Sequence, residues 1–303
     1  MRASATVFLI LLTVAVCNSF SLVTRRSFTQ GRLQTAEGPL VYPDLAGGAE
    51  GPTDSPWRLT WSDEFNTPDN GTPDLKKWSY DLGGDGWGNH ELESYTARPE
   101  NAKMVGGKLV ITARQEQYTG GDGITQPYTS ARLKTQGLFA QAYGRFEARI
   151  KIPRGQGIWP AFWLLGDDIS RVGWPDCGEI DIMENIGREP GIVYGSLHAP
   201  SSVAPTSDAS KGLPLPHGQN YADDFHVYAV GWEPGVIRFY VDANNYATFT
   251  QAEWPKGGRW VFDHPFFLIL NLAVGGDWPK SPDATTQLPQ QMLVDYVRVY
   301  AKM

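Results

Sequence analysis

Three carboxylates fall within six residues in Gly178-Glu179-Ile180-Asp181-Ile182-Met183-Glu184-Asn185, interleaved with large apolar side chains. On a helix, offsets of 0, 2 and 5 would scatter these acids around the barrel at 3.6 residues per turn. On a strand, Glu179 and Asp181 share one face while Ile180 and Ile182 enter a core. Glu184 then stands at an odd offset and points away from the other two. One extra residue at Ile182-Met183, a β-bulge, returns it to the carboxylate face, and bulges recur beside active sites. Three acids on one face suit cleavage of a glycosidic bond. With retention of configuration, that reaction uses a nucleophilic carboxylate and a proton-donating acid about 5 to 5.5 Å apart. A third carboxylate between them can share a hydrogen bond with the nucleophile and, by like-charge repulsion, keep the donor protonated. Spacing alone leaves two other readings open, a solvated strand face and a cage for a hard cation.

The elements around this segment read as strands. Lys108-Leu-Val-Ile-Thr-Ala-Arg114, Gly144-Arg-Phe-Glu-Ala-Arg-Ile-Lys-Ile152 and Val227-Tyr-Ala-Val-Gly-Trp232 are rich in β-branched or aromatic residues, as are Ile237-Arg-Phe-Tyr-Val-Asp242 and Val294-Asp-Tyr-Val-Arg-Val-Tyr300. Many alternate apolar with polar residues and are bounded by Gly, Pro, Asn or Asp. No segment has the pattern of a long amphipathic helix. Many short strands with frequent turns, in a chain with 33 Gly and 22 Pro, predict two packed antiparallel sheets. The fold class is all-β and the architecture a β-sandwich, which periodicity alone does not separate from a barrel. The texture is uniform from Trp57 to Met303, without an internal repeat or second linker, so residues 56–303 are expected to form one domain. With 41% hydrophobic residues in 303, the chain has ample material for one core.

Upstream, Met1-Arg2 precedes the apolar run Val7–Val16 and then Cys17-Asn18-Ser19. One positive charge, an h-region of about ten residues and small residues beyond it predict a secretory signal over 1–20. A membrane anchor would need about 20 apolar residues. Residues 21–55 are expected to be a leader or linker, since Ala36–Pro56 is Gly- and Pro-rich with little periodicity. The protein is thus expected outside the cell, unattached to a membrane once the signal is removed. Of its two cysteines, Cys17 would leave with the signal, so Cys177 has no disulfide partner despite an oxidising destination. A net charge of −7 and a pI of about 5.3 argue against nucleic-acid or anionic-membrane partners, which favour clustered Lys and Arg. A monomer is expected.

The segment Trp174-Pro-Asp-Cys-Gly-Glu-Ile-Asp-Ile-Met-Glu184 resembles the E-x-D-x-x-E motif of glycoside hydrolase family 16, in the bulged form of its laminarinase-type members. Lichenase-type members lack the bulge residue. The resemblance extends along the domain through Trp61-Ser-Asp-Glu-Phe65, Trp87-Gly-Asn-His-Glu-Leu92, Tyr143-Gly-Arg-Phe-Glu147 and Ile158-Trp-Pro-Ala-Phe-Trp-Leu-Leu165. It continues in Phe225-His-Val-Tyr228, Asn271-Leu-Ala-Val-Gly-Gly-Asp-Trp-Pro279 and Asp295-Tyr-Val-Arg-Val-Tyr300. It implies a jelly-roll sandwich of the concanavalin A-like type with a concave polysaccharide cleft, and a retaining mechanism through a covalent glycosyl-enzyme. Glu179 matches the nucleophile, Asp181 the assisting acid and Glu184 the acid/base; no cofactor is implied for catalysis. Trp174 matches a stacking platform, Asn89 and Arg132 match donor-side hydrogen-bonding positions, and His198 matches a residue beside the acid/base. Trp159 and Trp163, four apart on one strand face, are expected in the cleft, with Asn271 and Trp278 in a loop lining it. A structural Ca²⁺ on Glu64, the Gly107 carbonyl and Asp295 would tie the two ends of the domain together. Trp232, Trp254 and Trp260 are left to core or surface, and Cys177 is read as a small packed residue on or near the cleft face.

The expected activity is endo-hydrolysis of β-1,3-glucan, with mixed-linkage β-1,3-1,4-glucan as a second substrate. The alternatives are another family substrate such as agar or carrageenan, and a non-catalytic β-1,3-glucan-recognition protein. Enzymes for sulphated galactans would be expected to carry more basic residues around the cleft. Known recognition proteins of this family have lost the two glutamates that are present here.

Overall fold

The computed structural model describes residues 56–216 and 218–303. The expected signal and leader, 1–20 and 21–55, lie outside the described residues. Two separate sheets form, which decides for a sandwich over a barrel. The seven-stranded sheet runs in the order Ser207–Pro214, Ile192–Ala199, Glu179–Glu184, Ile158–Gly166, Phe266–Val274, Arg132–Lys134, Ser79–Asp81. The ten-stranded sheet is centred on Gly144–Lys151, His226–Glu233 and the C-terminal strand Gln290–Lys302. Pairings are antiparallel except that of Glu93–Tyr95 with Thr125–Ser130. Among the described residues, helix is confined to the single turns Ile169–Val172 and Gln251–Glu253.

Alternation places the core between the sheets. Phe146, Ala148 and Ile150 point inward from one sheet, and Phe162, Leu164, Ile180, Leu268 and Leu270 from the other; all are fully buried. Each strand of the seven-stranded sheet therefore turns its opposite residues to the outer face, where Trp159, Trp163 and Asn271 stand. The three unassigned tryptophans are packing residues. Trp232 is fully buried, with its Nε1–H on the Phe262 carbonyl at 3.1 Å, while Trp254 and Trp260 set their edges against Phe262.

The ends of the domain meet by strand pairing, Trp57–Asp63 running antiparallel to the C-terminal strand from Trp57↔Lys302 onward. The side chains expected to hold calcium are already engaged there. Arg298 forks the Glu64 carboxylate at 2.9 and 2.8 Å, Asp295 accepts from Arg149 at 2.7 Å, and Gly107 occupies a left-handed turn beside Asn66. A guanidinium gives each carboxylate its positive partner, so this donor set does not fit a hard cation as arranged.

Candidate active site

The strand carrying the three acids is preceded by Gly178, whose φ of +72° is a left-handed conformation that glycine adopts without penalty. A Cβ there would lie 2.8 Å from Val261 Cγ2. The strand then runs between Ile158–Gly166 and Ile192–Ala199, opposing Glu179 to Leu165 and Asp181 to Trp163. Between Asp181 and Met183 the register slips: Met183 opposes Phe162 and Glu184 opposes Ala161. Ile182 and Met183 are consecutive, yet both are buried in the core. That extra residue is the bulge, and it turns Glu184 to the face of Glu179 and Asp181.

The cluster is compact and mostly shielded from water. Glu179, Asp181 and His198 bring one polar atom each to within 4.8 Å of one another. Glu179 Oε2 accepts from the Trp174 indole at 2.7 Å, and Glu184 Oε1 from the Trp159 indole at 3.1 Å. His198 Nε2 lies 3.1 Å from Asp181 Oδ2, and its Nδ1 2.7 Å from Asp208 Oδ1. Burial raises the pKa of all three acids. Glu184 reaches about 8, by burial and then the charge of Asp181. Asp181 rises to about 7 by burial and the charge of Glu179, to which its protonated form donates a hydrogen bond. For Glu179, burial is opposed by the charge of His198 and by hydrogen bonds from Asp181 and Trp174. His198 itself is pushed up to about 11: burial, which favours the neutral ring, is outweighed by the hydrogen bonds and charges of Asp181, Glu179 and Asp208.

An aromatic and amide wall continues from these acids. Trp163 donates to Asn271 Oδ1 at 2.7 Å, and Asn271 donates in turn to the Tyr95 hydroxyl at 3.0 Å. Tyr95 donates to Glu91 Oε2 at 3.0 Å, and Asn89 to Glu91 Oε1 at 3.1 Å. The Arg132 guanidinium is sandwiched between Trp87 and Trp163, 4.9 and 4.7 Å from the ring centroids, with Nε 2.9 Å from Asp81. On the other flank, Trp278 packs edge-on to Trp159 and Tyr194. Together they bound an open cleft of about 680 Å³.

All eleven catalytic and sugar-binding positions expected from sequence line this one cleft. Asn271 does so from within the strand Phe266–Val274, not from a loop, so only Trp278 of that pair is a loop residue. Cys177 follows strand parity to the cleft side but is fully buried under Ile169 and Val172. Burial and nearby acids push its thiol up to about 12, which makes it a poor nucleophile. Sequence reasoning missed Trp87, Glu91, Tyr95 and Asp208. The first two stood in the quoted Trp87–Leu92 segment, where left-handed residues at Trp87 and His90 hide any strand or helix period.

A profile described as "Glycosyl hydrolases family 16" matches residues 90–298, well over half of the chain. The chain belongs to glycosyl hydrolase family 16. It is 45% identical over 256 residues to the "Beta-glucanase" of Rhodothermus marinus, an alignment spanning 80% of this chain and 85% of that one. Among solved structures, it resembles the laminarinase catalytic domain from Thermotoga maritima MSB8, with 47% identity, a TM-score of 0.75 and coverage of 82% of this chain and 99% of that one. It also resembles the endo-β-1,3-glucanase from Pyrococcus furiosus, with 46% identity, a TM-score of 0.76 and coverage of 82% and 95%. As a family 16 member this protein is a glycoside hydrolase with the jelly-roll fold, acting on β-glucan without a catalytic cofactor. The cleft is compatible with that chemistry. It is open, walled by indoles on which apolar sugar faces can stack, and it brings together acids with different environments.

Proposed function

We propose that this enzyme hydrolyses internal β-1,3 bonds of laminarin-like glucans by double displacement, with Glu179 as nucleophile and Glu184 as acid/base. The observation that carries the assignment is the contrast between the two glutamates. Burial raises both, but Glu184 is pushed to about 8 and holds a proton at neutral pH, whereas at Glu179 the charge of His198, the hydrogen bond from Asp181 and an indole N–H at 2.7 Å oppose burial. Glu179 attacks the anomeric carbon, forming a C–O ester bond as the glycosidic oxygen departs with the proton of Glu184. Water then enters from the vacated side, gives its proton to Glu184 and displaces Glu179. Two inversions at one carbon retain the β configuration.

In this reading Asp181 supports the nucleophile, Trp174 stacks on the sugar whose bond is cut, and Arg132 and Asn89 fix the neighbouring donor unit. Trp159, Trp163, His198, Asn271 and Trp278 complete the cleft. The β-1,3 preference rests on likeness to proteins named laminarinase and endo-β-1,3-glucanase. A mixed-linkage side activity follows from likeness to an endo-β-1,3(4)-glucanase that is 38% identical. The reading includes secretion, supported by the Val7–Val16 apolar run, and a monomeric state; no helix among the described residues is long and apolar enough to cross a membrane. Calcium at Glu64, Gly107 and Asp295 has no part in the mechanism. Specificity constants on laminarin, mixed-linkage glucan, agarose, carrageenan and xyloglucan test the proposal, together with proton NMR of the first product. Laminarin is expected to be the best soluble substrate, with the β-anomer appearing before mutarotation. A preference for a galactan or xyloglucan would overturn the substrate, an initial α-anomer would overturn the role of Glu179, and no cleavage at all would favour a glucan-binding protein.

A further inference from the structure

Asp208 lies on the edge strand Ser207–Pro214, directly across from His198 in the register, and His198 lies directly across from Glu179. The ring is thereby held between two carboxylates, Asp181 Oδ2 at 3.1 Å from Nε2 and Asp208 Oδ1 at 2.7 Å from Nδ1. A neutral imidazole has one N–H and one lone pair, so it would turn a lone pair toward one of these oxygens. Only the imidazolium satisfies both. Asp208 is itself oriented, since Thr206 Oγ1 donates to its other oxygen at 2.8 Å. The charged groups facing the ring are Glu179 and Asp181 on one side, with Glu184 beyond the bulge, and Asp208 on the other. Arg132, the other cation lining the cleft, belongs to a different strand and pairs with Asp81, which it shares with Lys134.

We propose that Asp208 is a positioning residue for the reaction, acting through His198: it holds the ring doubly protonated, with its positive charge 3.1 Å from Asp181 Oδ2. The proposal rests on the assignment of Glu179 and Asp181 to the catalytic cluster. An imidazolium at this place favours the anion of Glu179 and opposes the burial that raises Asp181, so more negative charge faces the sugar's positively charged transition state. Without the charge of Asp208, the shared proton moves from His198 to Asp181, and the field on that transition state weakens. The expected loss is therefore in kcat, not in binding.

Asp208→Asn keeps an oxygen for Nδ1–H and removes the charge. On laminarin it is expected to lower kcat about tenfold with KM within about twofold, and to move the alkaline limb of the pH profile down by about one unit. In ¹⁵N NMR, the His198 ring is expected to stay protonated through pH 9 in the parent protein and to titrate below that in the variant. Thr206→Val, which frees one oxygen of Asp208, is expected to give a smaller shift of the same sign. Parent-like pH profiles in both variants, with an unchanged His198 titration, would overturn the proposal. Full activity in Glu179→Gln would instead overturn the assignment on which it rests, and the two failures are distinguishable because the NMR titration does not depend on turnover.

Discussion

Replacing Trp174 by Phe leaves a ring over the cleft and removes the indole N–H that points at Glu179 Oε2 from 2.7 Å. A hydrogen bond to a charged acceptor is worth about 1.5 to 3 kcal/mol. Trp174 is 51% exposed, so water can take over part of the donor's role and the lower figure applies. About 1.5 kcal/mol corresponds to roughly one pKa unit. The bond favours the anion of Glu179, whose pKa burial already raises, so its loss moves that pKa further up. The acid limb of kcat/KM reports the group that must be ionised in the free enzyme. With Glu179 as that group, the limb for Trp174→Phe moves about one unit toward neutral pH. Trp174→Ala is expected to show the same shift plus a further loss in kcat/KM from stacking. The assay is initial rate on laminarin across pH in a constant-ionic-strength buffer. An unmoved acid limb in Trp174→Phe would refute the reasoning, because the donor would then do nothing for the nucleophile's charge.

Glu179→Gln and Glu184→Gln are each expected to reduce turnover on laminarin at least about a thousandfold, measured as released reducing ends, with Asp181→Asn hurting less. The same Glu184→Gln variant is expected to gain thermal stability relative to the parent as pH rises, because it escapes a loss that the parent suffers. The folded pKa of Glu184 is raised to about 8, so its contribution to stability is complete below the unfolded value of about 4.5 and is lost as pH climbs through 8. The difference in Tm between variant and parent therefore grows across that window and then levels off; a flat difference in calorimetry would contradict a buried, protonated Glu184. A chelator is expected to leave Tm unchanged, since Arg298 and Arg149 already pair with Glu64 and Asp295. A fall that Ca²⁺ reverses would restore the calcium site.

What the sequence made legible was set by short-range periodicity. The parity break at Glu184 was readable because a strand has a strict period of two, so an acid at an odd offset from its partners demands an inserted residue. The pair Trp159 and Trp163 was readable for the same reason. Asp208 was not, because its place opposite His198 depends on the register across the turn between two strands. The Asn89–Glu91–Tyr95–Asn271 chain was not, because it joins a left-handed loop to a strand some 180 positions away, as the separation of 176 between Tyr95 and Asn271 illustrates. The calcium expectation came from the family resemblance, which carries no information on local pairing, and the structure pairs those carboxylates with arginines.

The order of the two glutamates shows where periodicity ends and environment begins. Glu179 and Glu184 are chemically identical and share a face, so spacing could not assign nucleophile and acid without the family resemblance. The structure separates them by what surrounds each. Both accept one indole N–H, but that on Glu179 is shorter, 2.7 against 3.1 Å. Glu179 also lies in register beside His198, while Glu184 is displaced past the bulge to oppose Tyr194. Of the two glutamates, the cationic ring therefore favours ionisation more at Glu179, the proposed nucleophile. The bulge has two consequences from one inserted residue: it returns Glu184 to the cleft, and it sets that acid one step farther from the positive charge that would strip its proton.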